Sequence, residues 1–188
     1  MVDESITVKG SPVRSLQKFL DAELTPDERQ QVLDALPPEH ASRFRKPILA
    51  TETVPVVLLN RLTEEAARVK KEPVESFARR AGREGASDAV KGIYRFLALA
   101  LTPPALMAKA AHMWSTLYNR GEMRVDEQTE TSARVRILNF PFEPVGCARA
   151  TGWIERMAEI TGVKKVHVDQ TQCCAKGGAW CEWRVSWE

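Results

Sequence analysis

The sequence predicts an α+β fold: an N-terminal helical half followed by a ββαββ unit whose strands form a four-stranded antiparallel sheet. Three observations predict it. Apolar residues recur at helical spacing up to about residue 120, they alternate at period 2 beyond Gly121, and one amphipathic stretch separates two such alternating pairs.

Each element follows in order. Pro12 to Glu23 carries Val13, Leu16, Phe19 and Leu20 on one helical face. Leu24-Thr-Pro-Asp-Glu28 supplies an N-cap threonine, a proline at the first helical position and acids in the first turn, opening a helix that stops before Pro37-Pro38. A short helix starts at Pro38. Pro55 to Val69 buries Val56, Leu59, Leu62, Ala66 and Val69, and Pro73 restarts the pattern. Val74 to Leu101 is helical in composition but interrupted at Gly82, Gly85 and Gly92, a spacing that suits a kinked helix or the close approach of another backbone. Its end, Ile93 to Leu101, is apolar almost all round and is expected in the middle of the domain. Thr102-Pro-Pro caps a further helix through Met107, Ala110, Ala111, Trp114 and Leu117, with Gly121 at the place of a left-handed C-cap.

Beyond Gly121, Met123 and Val125, then Ala133, Val135 and Ile137, alternate with polar residues around a turn at Gln128-Thr-Glu-Thr-Ser. Phe140-Pro-Phe-Glu-Pro ends the second strand. Cys147 to Ile160 is an amphipathic helix stopped at Gly162, and Val163 to Val168 with Trp180 to Trp187 form the second strand pair. No repeat or long linker divides the chain, so residues 1–188 are read as one domain, with a helical half to residue 120 and the ββαββ half from 121.

At 188 residues the chain buries a core without help from disulfides or metals. The 27 lysines and arginines are scattered among 25 acids, with no basic stripe for nucleic acid. The N-terminus lacks a basic and apolar secretory pattern, and no run approaches the roughly 20 apolar residues of a membrane span, so a cytoplasmic location is expected. There the four cysteines are expected as free thiols or metal ligands. There is no Gly-x-Ser-x-Gly, no phosphate-cradling glycine loop with a lysine and no His-Glu-x-x-His, so no enzyme is expected.

The stretch Gly146-Cys-Ala-Arg-Ala-Thr-Gly-Trp, followed by a helix, a strand and Gln170-Thr-Gln-Cys173-x7-Cys181-Glu-Trp-Arg-Val, is similar to the 4-vinyl reductase domain. That domain belongs to the fold group that also holds haem nitric-oxide-binding domains and a subunit family of Golgi tethering complexes. With Val8-Lys-Gly-Ser and Leu36-Pro-Pro-Glu included, nearly the whole chain resembles a myxobacterial paralogue family of similar length without an assigned activity. The resemblance implies a non-catalytic signalling module that senses a small molecule. In relatives within phenol-responsive transcription activators the matching segment binds a structural zinc through three cysteines and a glutamate. Carried over, the positions are Cys147, Gln170, Cys173 and Cys181. A neutral amide is a poor zinc ligand, which leaves the fourth place to Cys174, Asp169, His167 or water.

Apart from zinc, no cofactor is expected. The haem signature tyrosine-x-serine-x-arginine does not occur, Tyr118-Asn-Arg120 being its nearest echo, and His112 on a predicted helix reads as an ordinary core or surface residue. Redox chemistry at the adjacent Cys173-Cys174 is disfavoured by disulfide geometry. A small hydrophobic ligand between helices and sheet would be lined by Tyr94, Phe96, Leu97, Leu99, Met107, Trp114, Leu117 and Trp153; the alternative is that these residues fill the core. Trp183 and Trp187 share one strand face and Trp180 the other, so an aromatic sheet edge or the 93–101 run offers a surface for a homodimer or another protein partner. The module is thus read as a ligand sensor, a structural dimerisation domain with a filled core, or a zinc- or haem-binding sensor.

Overall fold

A computed structural model describes residues 4–91, 96 and 98–188 of the chain. The helical half comprises α1 (Gly10–Glu23), α2 (Pro26–Asp34), α3 (Pro38–Phe44), α4 (Val56–Lys70), α5 (Val74–Ala89) and α6 (Pro103–Leu117). The second half runs β3 (Glu122–Asp126), β4 (Ser132–Leu138), α7 (Pro144–Ile160), β5 (His167–Gln172) and β6 (Cys181–Ser186). Its sheet is antiparallel in the order β3-β4-β6-β5. The ββαββ expectation holds.

Local chemistry sets the boundaries. Thr25 accepts from the Glu28 amide and Glu28 returns a bond to the Thr25 amide, a complete capping box at the start of α2. Thr102 caps α6 in the same way, accepting from the Ala105 amide at 3.4 Å. Two short strands escaped the sequence reading. β1 (Thr7–Lys9) and β2 (Thr53–Pro55) pair antiparallel, and Val8 also bridges Tyr118 at the end of α6. Three residues are too few for an alternation to register.

Other expectations need correction. β5 begins at His167 rather than Val163: Lys164 exchanges hydrogen bonds with Glu188, but Lys165 at φ 49° breaks the extended path before the ladder starts. Gly121 does not cap α6, whose C-cap is the extended Tyr118. Its φ of +83° instead turns the chain into β3 against Phe140. Within the apolar 93–101 run, Ile93, Tyr94, Arg95 and Leu97 lie outside the described residues. Phe96 and Leu99 are 74% and 53% exposed, so these two positions are peripheral rather than central.

The core joins both halves. Val13, Phe19, Leu58, Phe77 and Met107 from the helices meet Val135, Ile154, Trp183 and Val185 in one continuous cluster. One tight joint is the crossing of α5 and α7. A Cβ on Gly82 would lie 1.9 Å from the Arg149 carbonyl oxygen, and one on Gly152 would lie 2.0 Å from that of Arg79. Of the two sequence readings for the glycine spacing, Gly82 thus takes the close approach. Flanking the joint, Arg79 binds Glu155 and Arg83 binds both Glu155 and Glu159.

Candidate metal centre

Three elements deliver the sulfurs. Pro144 opens α7 at its first position, and the helical period then turns Cys147 inward with Val145, Ala148 and Ile154. On β6 the inward residues are Cys181, Trp183 and Val185, with Trp187 buried beyond the strand end and Trp180 on the other face, as parity requires. On β5 the inward set begins with Val168, which would leave Cys173 on the wrong side. A register shift between Gln170 and Gln172 inserts one residue and returns Cys173 to the core face.

The thiols of Cys147, Cys173 and Cys181 therefore converge, with all three sulfurs within 4.8 Å of one another and all three residues buried. Cys147 Sγ lies 3.5 Å from Cys173 Sγ and 3.7 Å from Cys181 Sγ. Cys174 opens the short 3₁₀ turn Cys174–Lys176; its Sγ is 3.4 Å from Cys181 Sγ and 3.5 Å from the Phe140 carbonyl oxygen. Four zinc–sulfur bonds of about 2.3 Å in a tetrahedron would set sulfurs about 3.8 Å apart. The observed spacings are close to that edge. The Cys147 thiol, then burial, push the Cys181 thiol far above its usual range, and burial, then Cys181, raise Cys174. Thiolates at these buried positions need a nearby positive charge, which a bound divalent ion would supply.

The alternatives for the fourth ligand separate cleanly. His167 and Asp169 point outward and pair with each other at 3.0 Å, 70% and 61% exposed. Gln170 is half-buried and its Nε2 has no partner among the described residues. Cys174 Sγ lies 3.4 Å from Cys181 Sγ, across the turn.

Among the described residues, those expected to line an apolar pocket take up different positions. Tyr94 and Leu97 lie outside the described residues, and Phe96 and Leu99 face solvent. Met107 is fully buried in the core. Trp114 stacks on Tyr118 at 4.2 Å and meets Phe140 edge-on at 5.3 Å. Leu117 and Trp153 are half-buried, Trp153 packing beside the α5 glycines. A groove of about 470 Å³ does open between α1 and α5, but charged residues such as Lys18, Arg80, Arg83 and Asp88 line it. Tyr118-Asn-Arg120, the echo of a haem signature, ties α6 to the N-terminal strand: Asn119 binds the Thr7 amide and the Ser5 carbonyl, and the Arg120 carbonyl accepts from the Trp114 indole.

One polar cluster went unread in the sequence. Arg149 on α7 donates from Nη2 to Asn60 Oδ1 at 2.9 Å, and Asn60 Nδ2 donates to Glu143 at 2.5 Å. Asn60 is a polar residue on the buried face of the Val56-Val-Leu-Leu-Asn-Arg-Leu run, and that was its only signal.

No protein-family model and no curated protein matches the chain. Solved structures do match. An H-NOX protein from S. oneidensis in the Fe(II)NO ligation state aligns with a TM-score of 0.73 at 11% identity, covering 96% of this chain and 99% of that one. An Fe(II) unliganded H-NOX protein from K. algicida gives 0.71 at 8% identity, covering 96% of each chain. An oxygen-binding H-NOX domain related to soluble guanylate cyclases gives 0.69 at 12%, covering 96% and 95%. At such identities the likeness is one of fold, and it places this chain's helical half and four-stranded sheet in the H-NOX architecture.

Proposed function

We propose that this chain is a non-catalytic sensor-type domain whose terminal hairpin is pinned to α7 by a thiophilic metal ion, zinc by its ligand chemistry. The observation that carries the reading is the convergence of three buried sulfurs from three separate elements. Cys147, Cys173 and Cys181 would hold the ion, with Cys174 or water in the fourth place. The ion would supply fixed charge and a cross-link, and the chain's own residues supply the rest: α7 carries the hairpin's position to the α5 crossing through Gly152.

The H-NOX proteins of similar fold hold Fe(II), in one case bound to NO, but none of the three histidines here is placed to ligate a haem. His40 pairs with Glu4 at the surface, His112 is exposed on α6, and His167 is engaged by Asp169. Elemental analysis of protein purified without added metal, together with a visible spectrum, tests both statements. About one zinc per chain and no Soret band are expected, with zinc lost in Cys147→Ser and Cys181→Ser. A metal-free protein that takes up no zinc on addition would end the metal reading.

Self-association is a second reading. Phe96, Leu99 and Met113 are large apolar side chains left 74%, 53% and 55% exposed. Light scattering at rising concentration should give twice the monomer mass, reduced by Met113→Lys. A monomer throughout would dismiss it.

A further inference from the structure

Among the described residues, Arg149 has a buried side-chain nitrogen, Nη1, with no hydrogen-bond partner. Its guanidinium is half satisfied: Nη2 reaches Asn60 Oδ1 at 2.9 Å. The neighbouring carboxylate does not complete it: Glu143 Oε2 accepts from the other end of the same amide, Asn60 Nδ2, at 2.5 Å. Asn60 is itself only 3% exposed, so the spacer between cation and anion is locked in the core. A buried donor nitrogen left without an acceptor carries a desolvation penalty that the Nη2 bond does not offset. A chain that keeps Arg149 here is built around an acceptor that comes from elsewhere.

The surroundings define that acceptor. Glu143 and Tyr118 are the ionisable groups whose fields reach the guanidinium. With Arg149 and Glu143 already balanced, a monoanion leaves the cluster at one net negative charge and a dianion at two, so a singly charged head is favoured. Aromatic rings pack close by. Tyr118 stacks on Trp114 at 4.2 Å and lies edge-on to Phe140 at 5.4 Å, and Phe140 tilts against Phe142 at 4.7 Å. Gly146 keeps the Phe142 ring close to Asn60, since a Cβ there would fall 3.0 Å from that ring and 3.7 Å from Asn60 Oδ1.

We propose that Arg149 Nη1 anchors a binding site for a small organic monocarboxylate with an unsaturated or aromatic body, at the junction of α4, α6 and α7. The carboxylate accepts from Nη1 in a charge-assisted bond, and the body lies against the Tyr118, Phe140 and Phe142 rings. The rings border the thiol cluster, with the Phe140 carbonyl 3.5 Å from Cys174 Sγ, but the anchoring arginine is not one of its ligands.

The test uses the full chain at constant ionic strength, titrated calorimetrically and by thermal shift with benzoate, acetate, phosphate and chloride. Benzoate should bind saturably and raise the melting temperature, acetate more weakly, and phosphate and chloride should do neither. Arg149→Lys keeps a cation but loses the planar fork, and should weaken benzoate about tenfold or more. Glu143→Gln removes the competing charge and should tighten benzoate about threefold or more. The opposite signs exclude a merely structural role for the arginine. No saturable benzoate signal, equal binding by chloride, or an Arg149→Lys protein that binds as well as the parent would each overturn the proposal. Should Arg149→Lys fail to fold, Glu143→Gln decides alone, unchanged or weaker binding counting against it.

Discussion

Gly152 and Cys147 sit five residues apart on α7 and hold that helix by opposite means. At Gly152 the backbone of α7 lies against the Arg79 carbonyl so closely that a methyl group would fall 2.0 Å from its oxygen. At Cys147 two sulfurs approach to 3.5 and 3.7 Å with no bond among them. The first joint is closed and tolerates no addition. The second is open and, on the metal reading proposed above, would be completed by an addition. If the proposed ion binds there, a helix clamped on one side would pass a displacement at the thiols toward the α5 crossing.

The closed joint should give the largest effect. Gly82→Ala and Gly152→Ala each drive a methyl into a backbone carbonyl that cannot rotate away, so α5 and α7 must separate. A loss of about 4 kcal/mol is expected, beyond ordinary core overpacking, which lowers the melting temperature by roughly 8–16 °C for a chain of this size. Calorimetry reads it. Zinc should not rescue either variant, and a rescue would mean that the two joints are not independent.

At the open joint, zinc at a hundredfold above its dissociation constant should add about 2.7 kcal/mol of stability. Cys181→Ser should abolish the increment, and denaturant titration with and without a chelator measures it. Cys174→Ser sharpens the comparison: a diminished increment makes it the fourth ligand, and an unchanged one gives that place to water.

Between the joints, Thr151 accepts a hydrogen bond from the fully buried Trp183 indole at 2.8 Å. Thr151→Val strands that N–H at nearly constant volume and should cost about 2 kcal/mol by urea unfolding, whereas Thr151→Ser should cost less than half as much.

The difference between the joints also explains what the sequence could and could not reveal. Periodicity exposes whatever repeats, so the change of rhythm at Gly121 disclosed the sheet, and the Thr25-Pro-Asp-Glu28 signature disclosed the capping box. Gly82 was legible as a site of close approach but not its partner, since two helices choose each other by shape and nothing local at Gly152 names Arg79. The cysteine positions came from a resemblance; their convergence depends on the bulge between Gln170 and Gln172, which breaks parity and follows no composition rule. Phe96 and Leu99 were placed centrally from hydrophobicity alone, which measures a preference for burial and not whether a neighbour is present to provide it. The Arg149, Asn60 and Glu143 cluster joins residues 83 and 89 positions apart, a separation no local window spans.

The smallest effect belongs to a charge cluster remote from both joints, where nothing is missing. Asp88, at the end of α5, receives Lys18 at 3.0 Å, Ser15 at 2.6 Å and Lys91. Burial alone would raise its carboxyl, but the hydrogen bonds from Lys91, Ser15 and Lys18 prevail and hold it far below the usual carboxylate range. A carboxyl depressed in the folded state contributes stability that is fully present above its unfolded value of about 3.9 and is lost as pH falls through the folded value. Both lysines are more than half exposed, so the contribution is that of a screened surface network, about 0.5 kcal/mol at neutral pH. Asp88→Asn should lose that amount at pH 7 and by equal measure with or without zinc, since the groove between α1 and α5 shares no partner with the thiols. Carried below about pH 4, the difference between parent and variant should shrink steadily. A difference that grew on acidification, or that depended on zinc, would tie the charged groove to the open joint and make α5 a conduit between them, where the glycine crossing makes it a wall.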